Sequence, residues 1–264
     1  MILSIDIGIS HLAHCLLSNN QTLEIHEWGV VDLTGNKTQC CTMCTKKATY
    51  VHNTTSYCTI HVKKSKIPIL SKSEPIVSLR ARCQAFEVPW TVSETKQQLI
   101  EKLKTKCAMK MERTLASKCE MKVLGTNLVR EYSIFDKYPI ETVLIENQIG
   151  PIASRMKALQ SMVIQYWIMK GIDAANIQCI SSSNKLKLFY TEKMSYKERK
   201  QKSIEYTRAC MVESCKELFE NHSKKDDLAD TFLQALWYLN HSNLLNADYL
   251  KLIVLSKQYV GRNN

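Results

Sequence analysis

The sequence predicts an α/β fold: a mixed β-sheet flanked by helices, interrupted by a small cysteine-bearing insertion. Three observations predict it. Residues 1–33 hold three β-branched, apolar segments joined by short connections. From residue 142 onward, strand-like and helix-like segments alternate and then give way to helices. Between these parts, residues 38–62 change in kind and gather cysteine and histidine.

Taken in order, Ile2–Ile7, Ala13–Ser18 and Thr22–Val31 read as strands, the last following the turn signal Asn19-Asn20. Short connections between them predict an antiparallel meander. Gly35-Asn-Lys breaks the pattern. Residues 63–92, basic and carrying Pro68, Pro75 and Pro89, read as loop. Ser93 is a candidate N-cap for a helix through Lys106, and a longer helix is expected over 111–137, stopped by Pro139. Thr142–Asn147 is a buried strand, and Gly150-Pro151 is punctuation before a helix. That helix shows Met156, Leu159, Val163, Tyr166 and Trp167 at helical spacing up to Gly171. Asn176–Ser181 is a short strand, and helices are expected at about 195–220, 225–240 and 246–257. This order matches an RNase H-like mixed sheet. Residues 1–33 and 138–264 would form its core, 34–92 a metal-binding and basic insertion, and 93–137 the helical part of that insertion.

Composition bounds the function. The chain has 264 residues, 45% of them apolar, as in an ordinary globular protein. Thirty-six Lys and Arg against 25 Asp and Glu give a net charge of +11, which favours a polyanionic partner such as nucleic acid. No apolar run approaches the ~18 residues of a membrane span. The N-terminus lacks a basic region and Asp6 interrupts its apolar run, unlike a signal peptide. Eleven scattered cysteines then suggest thiols and metal in a reducing, intracellular setting rather than a disulfide framework.

Four carboxylates stand out. Asp6 lies in Ile2-Leu-Ser-Ile-Asp-Ile-Gly8, and Glu146 closes Thr142-Val-Leu-Ile-Glu-Asn147. Asp227 and Asp230 lie in the first turns of the late helix. There Leu228, Phe232, Ala235, Leu236 and Leu239 cluster as a core face, with Asp227, Asp230 and Gln234 opposite. Acids on two strands and a late helix are what a metal-dependent nuclease brings together, because hard cations take oxygen ligands. Two such ions stabilise the attacking and leaving oxygens of a displacement at phosphorus. Each acid has a plainer reading. Asp6 could serve a turn, or the phosphate loop of an actin-like ATPase, although seven unclustered glycines disfavour the latter. Glu146 could pair with a basic residue. The helix acids could form a solvated face that stabilises an N-terminus, with Asp226 as an alternative to Asp227.

Cys41-x2-Cys44-x13-Cys58-x2-His61 has the spacing of a structural Zn²⁺ site, two ligands from each of two tight turns. Cys40 and His52 are weaker alternative ligands, and unlinked thiols in a hairpin are the plain reading. A zinc-shaped hairpin would present the basic 62–82 segment to a DNA arm.

Ser4-Ile-Asp-Ile-Gly8, Ile145-Glu-Asn-Gln148, Ser182-Ser-Asn-Lys-Leu186 and Lys224-Lys-Asp-Asp-Leu-Ala-Asp230 together resemble the RuvC-like Holliday junction resolvases, in particular the poxvirus-type enzymes of large DNA viruses. The resemblance covers residues 1–33 and about 140–240. It implies an RNase H-like fold, a homodimer, and paired Mg²⁺-dependent incisions in branched DNA. Asp6, Glu146, Asp227 and Asp230 would hold two Mg²⁺, with Mn²⁺ as an alternative, and the family's Asp-x-x-Asp pattern selects Asp227 over Asp226. Lys185 would match a family lysine near the scissile phosphate, with Lys187 a weaker candidate. The Lys185–Lys225 stretch would track DNA, and Tyr190 and Tyr196 could stack on bases or simply pack. A viral enzyme would act in the host cytoplasm or virus factory; an organellar resolvase is the other source. Residues 34–137 depart from the bacterial pattern by their length. Another RNase H-like nuclease and a non-catalytic zinc protein that binds nucleic acid are the competing functions.

Overall fold

The computed structural model describes residues 1–19, 22–36, 39–149, 154–190 and 194–262, with side chains as far as Ser256 in the last helix. Asn20 of the expected turn and the Gly150-Pro151 punctuation lie outside the described residues. The chain forms two compact units, Met1–Gly35 with Leu115–Asn264, and Asn36–Thr114. Residues 115–137, expected in the insertion, therefore group with the sheet-bearing unit.

The opening strands are β1 (Ile2–Asp6), β2 (Leu12–Asn19) and β3 (Leu23–Val31). The second unit carries β4 (Tyr50–His52), β5 (Thr55–Tyr57), α1 (Thr59–Lys64), β6 (Ile69–Leu70), α2 (Ile76–Ala85), α3 (Lys96–Leu103) and β7 (Ala108–Lys110). The first unit resumes with α4 (Met121–Tyr132), β8 (Thr142–Glu146), α5 (Ser154–Met169) and β9 (Ile177–Ile180). It ends with α6 (Tyr196–Cys210), α7 (Lys216–Asn221), α8 (Lys225–His241) and α9 (Ala247–Arg262).

The sheet of the first unit runs β3-β2-β1-β8-β9, with β1–β2 and β2–β3 antiparallel and β1–β8 and β8–β9 parallel. It is the mixed, helix-flanked sheet expected from sequence. Strand alternation sorts its side chains. Leu3, Ile5, Val143 and Ile145 enter one apolar cluster with Leu124, Tyr132, Leu159 and Trp167 of α4 and α5. Leu144 enters the other, with Trp28, Tyr206, Phe219, Phe232 and Leu236, under α6 to α8. Even-numbered positions of β1 and β8 thus face α8, and Asp6 and Glu146 are even-numbered.

Several boundaries differ from expectation. The segment 63–92 is not all loop: Pro75 takes the N-cap position of α2, where its missing N–H costs nothing. Only Leu79 and Cys83 of α2 are buried, so its apolar stripe is too narrow to announce a helix. Thr95 rather than Ser93 caps α3, in a capping box with Gln98. The helix expected over 111–137 shrinks to α4 followed by a 3-10 turn, because residues 111–114 belong to the other unit. The 195–220 helix breaks at Met211, whose extended backbone (ψ 153°) buries its side chain.

His14 of β2 is buried, edge-on to Tyr132 and Phe135, and its Nδ1 has no hydrogen-bond partner. Burial lowers its pKa to about 4, against a smaller upward pull from Glu27. The unfolded chain takes up this proton near the ordinary value of ~6.5, before the folded chain does. Stability is therefore full above that value and falls as pH drops toward 4, by about 3 kcal/mol. Urea midpoints from pH 7 to 4.5 should show this slope, and His14→Phe should flatten it. An unchanged slope in the variant would assign the acid sensitivity to other groups.

Within the second unit, a β5-β4-β7-β6 sheet accompanies a small core of Leu70, Leu79, Cys83, Leu99, Leu103, Cys107 and Met109.

Candidate active site and metal centre

Register brings the strand acids together. Ile5 pairs in parallel with Ile145, so the next step sets Asp6 beside Glu146 at the carboxyl ends of β1 and β8. Gly8 allows the chain to turn immediately afterwards: a Cβ there would lie 2.3 Å from the His11 carbonyl oxygen. Helix α8 brings the third acid. Its Gln234 is fully buried, and Nε2 lies within donating distance of Ser4 Oγ (3.1 Å), Ile5 O (3.3 Å) and Leu144 O (3.4 Å). This amide fixes α8 across the central strands one turn beyond Asp230. The acid-bearing face is not a face turned away from the core, as expected, because α8 is buried on the sheet side as well.

Asp6, Glu146 and Asp230 converge on one ammonium. Lys185 Nζ lies 3.0 Å from Glu146 Oε2, 3.0 Å from Asp230 Oδ2 and 3.8 Å from Asp6 Oδ1. Lys185 is only 5% exposed. Burial alone would lower its pKa, but the three carboxylates outweigh this and hold it above the usual lysine value. Burial pushes the Asp6 carboxyl well up, aided by Glu146 and Asp230 against the pull of Lys185. Burial also works against the ionised form of Glu146, yet Asp6 and Lys185 together hold its pKa down.

The two candidates on α8 separate clearly. Asp226 forms an ion pair with Lys200. Asp227, one turn before Asp230, has a buried Oδ2 with no hydrogen-bond partner, and burial and the Asp226 charge raise its pKa. An orphaned carboxylate oxygen, together with three carboxylates facing a single ammonium, is a donor set with charge to spare for a hard divalent cation.

Other sequence candidates lie elsewhere. Lys187 is exposed and donates to Asn184 Oδ1 at 2.7 Å. Tyr196 is 66% exposed, with the Lys200 ammonium 5.3 Å from its ring centroid. Besides Lys185, four cations among the described residues of 185–225 are held in ion pairs: Lys200 with Asp226, Lys202 with Glu205, Arg208 with Glu220 and Lys216 with Glu213. One functional residue escaped the sequence reading. Gln160 of α5 is buried, accepts from the Gln148 amide (3.0 Å) and donates to Cys179 Sγ (3.1 Å), bracing the loop beyond Glu146. Its signal was a polar residue inside the apolar stripe of α5.

In the second unit, Cys41, Cys44, Cys58 and His61 offer ligand atoms that all lie within 4.8 Å of one another. Cys44 and Cys58 sulfurs are 3.9 Å apart, and His61 Nδ1 is 3.4 Å from Cys41 Sγ and 3.5 Å from Cys58 Sγ. A tetrahedral site with ordinary metal–ligand lengths has S···S edges of about 3.8 Å and S···N edges of about 3.5 Å. Burial raises the Cys41 pKa, but hydrogen bonds at Cys58, Met43, His61 and Cys44 bring it down to about 6, while the neighbouring sulfurs push Cys44 up. Cys40 is exposed in a bridge with Lys47, and His52 Nε2 lies 3.0 Å from Thr105 O, so neither joins the cluster.

The family model described as "Poxvirus A22 protein" matches residues 91–243, more than half of the chain and including β8, Lys185 and α8. The chain belongs to the poxvirus A22 family. An uncharacterised protein of Acanthamoeba polyphaga mimivirus is 25% identical, over 90% of this chain and 74% of its own length. Among solved structures, the yeast mitochondrial Holliday junction resolvase aligns with a TM-score of 0.45 and 15% identity, over 100% of this chain and 86% of the other. The fowlpox virus Holliday junction resolvase aligns at 0.43 and 11%, over 91% and 98%. The family match ends at residue 243, so α9 lies beyond it, and it begins inside the second unit, after the Cys3His cluster.

Proposed function

We propose that this protein is a virus-encoded endonuclease that resolves four-way DNA junctions by paired, metal-dependent phosphodiester hydrolysis. The observation that carries the reading is the convergence of Asp6, Glu146 and Asp230 on one buried point, with Asp227 one turn away. The donors come from the two strands and the late helix of a chain in the poxvirus A22 family, whose members resolve such junctions.

Asp6, Glu146, Asp227 and Asp230 would hold Mg²⁺, with Mn²⁺ as an alternative. When bound, the ions supply the positive field that makes water nucleophilic at phosphorus and stabilises the leaving oxygen. The chain's own residues do the rest. Gln234 and the strand register hold the acids in place. Lys185 keeps them together at rest, and its ammonium would lie beside a phosphate brought to the carboxylates. The described residues of one chain hold one such site, so paired incisions across a junction would take two copies, and we assign a homodimer. The setting is the infected cell, where viral DNA is copied. Among the described residues no helix is long and apolar enough to cross a membrane.

The Cys3His cluster would hold Zn²⁺ in a structural role, since four protein ligands leave no open position. Removing it with a chelator should expose Asn36–Thr114 to protease and leave the sheet-bearing unit resistant. Equal resistance of both units after chelation would show that the cluster does not hold the second unit together.

The deciding experiment offers a synthetic four-way junction, a linear duplex and an RNA–DNA hybrid with Mg²⁺. Symmetric nicks in opposing strands of the junction alone are expected. Cutting of the hybrid instead would make this another RNase H-like nuclease, and tight binding with no cutting would make it a non-catalytic binding protein.

A further inference from the structure

The basic charge of this protein is confined to one unit. Asn36–Thr114 holds fifteen Lys and Arg, five Glu and no Asp, a balance of +10 out of +11 for the whole chain. The unit bearing the carboxylates holds twenty-one Lys and Arg against twenty Asp and Glu, a balance of +1. Four of the five glutamates in the basic unit are taken up internally: Glu74 by Arg82, Glu94 by Lys102, Glu101 by Lys104 and Glu112 by Lys72. Arg80 donates to Val92 O (2.7 Å) and Arg113 to Ala48 O (3.0 Å). Lys72, Arg80 and Arg82, half of the basic residues in the 62–82 segment, thus already have internal partners.

Among the described residues of this unit, Lys46, Lys47, Lys63, Lys64, Lys66, Lys96, Lys106 and Lys110 have no ion pair, and the first five follow the Cys3His ligands closely in sequence. Lys46 and Lys47 follow Cys44 by two and three residues, and Lys63 and Lys64 follow His61 by two and three. With Lys66 they are all exposed, and none has an acidic partner among the described residues. The cluster fastens the turn carrying Lys46 and Lys47 to the helix carrying Lys63 and Lys64, so one metal would hold both lysine pairs in one patch.

We infer that this metal-organised lysine patch is the protein's duplex-DNA grip. It supplies sequence-independent affinity for a DNA arm, while the near-neutral unit supplies the reacting groups. The inference rests on the junction-cutting reading for its choice of DNA. The physical reason is counterion release: each phosphate neutralised by a lysine adds about 0.9 to the slope of log affinity against log salt. A near-neutral surface contributes little to such a slope.

The test measures binding of the intact chain to a linear duplex and to a four-way junction over a salt series. The variant is Lys46→Gln/Lys47→Gln/Lys63→Gln/Lys64→Gln. Its control is Lys122→Gln/Lys137→Gln/Lys170→Gln/Lys251→Gln, which removes the same charge from the other unit, outside the 185–225 stretch. The patch variant should lose about 3 from the slope and at least about tenfold in affinity for both DNAs. The control should stay within about twofold. One metal per chain in the purified variant, measured by atomic emission, shows that the cluster is intact, and Lys→Arg at the same four positions should restore binding. Equal losses from both variants, or a larger loss from the control, would overturn the inference. Tighter binding of an RNA duplex of the same sequence would reassign the grip to RNA. Loss of binding in the patch variant of a protein that cuts no junction would sink the resolvase reading and leave the grip standing.

Discussion

Asp230→Asn should reduce junction cleavage by on the order of 10³-fold or more while junction binding stays within about threefold. The substitution keeps the size of the side chain and removes the charge that faces Lys185 at 3.0 Å. Glu146→Gln and Asp6→Asn should behave alike, because all three carboxylates share one point and no other described acid pairs with Lys185. Asp226→Asn is the internal control. Its partner is Lys200, so cleavage should fall far less than in Asp227→Asn. Cleavage rates under single-turnover conditions, with binding measured in Ca²⁺, separate the two effects. Full activity in Asp230→Asn, or loss of activity in Asp226→Asn with Asp227→Asn unaffected, would overturn the assignment.

The second large effect concerns Lys185 and stability. Lys185→Met keeps the length and apolar stem of the side chain but leaves Glu146 and Asp230 without their shared counter-charge. Breaking a buried pair from one side commonly costs about 3–5 kcal/mol. Here about 3 is expected, the lower end of that range, because Glu146 and Asp230 are both partly exposed and water can screen part of their repulsion. The metal-free variant should therefore unfold at clearly lower urea than wild type, and saturating Mg²⁺ should recover most of the difference as the cation takes over the neutralising role. A loss that is the same with and without Mg²⁺ would mean that Lys185 acts through packing alone.

The two predictions depend on different layers of information. Asp6 and Glu146 were legible because acids at the ends of buried apolar strands conflict with the local pattern, and strand alternation fixes the face they share. The cysteine–histidine cluster was legible because its spacing is a local property of two tight turns. Helix α8 was legible in extent but not in environment: its periodicity marked one core face, whereas Gln234 makes the opposite side a buried contact with β1 and β8. Helix α2 was missed because two buried residues give almost no periodic signal, and the 111–137 segment was overextended because helical propensity runs across a boundary between units.

What the sequence determined by itself is the set of parts: an α/β chain, four carboxylates in the right order of elements, a Cys3His ligand set and an excess of basic residues. These follow from periodicity, spacing and composition, which are properties of neighbouring residues. Tertiary structure alone decided how the parts are paired. The family pattern preferred Asp227 over Asp226, and the tertiary structure adds the contrast between them: Lys200 of α6 forms an ion pair with Asp226, while one buried Asp227 oxygen has no hydrogen-bond partner. Lys185 becomes the common counter-ion of acids 39, 45 and 179 residues away because β1, β8 and α8 meet above it. Long-range contacts of this kind follow from the packing of whole elements, which no short stretch of sequence encodes.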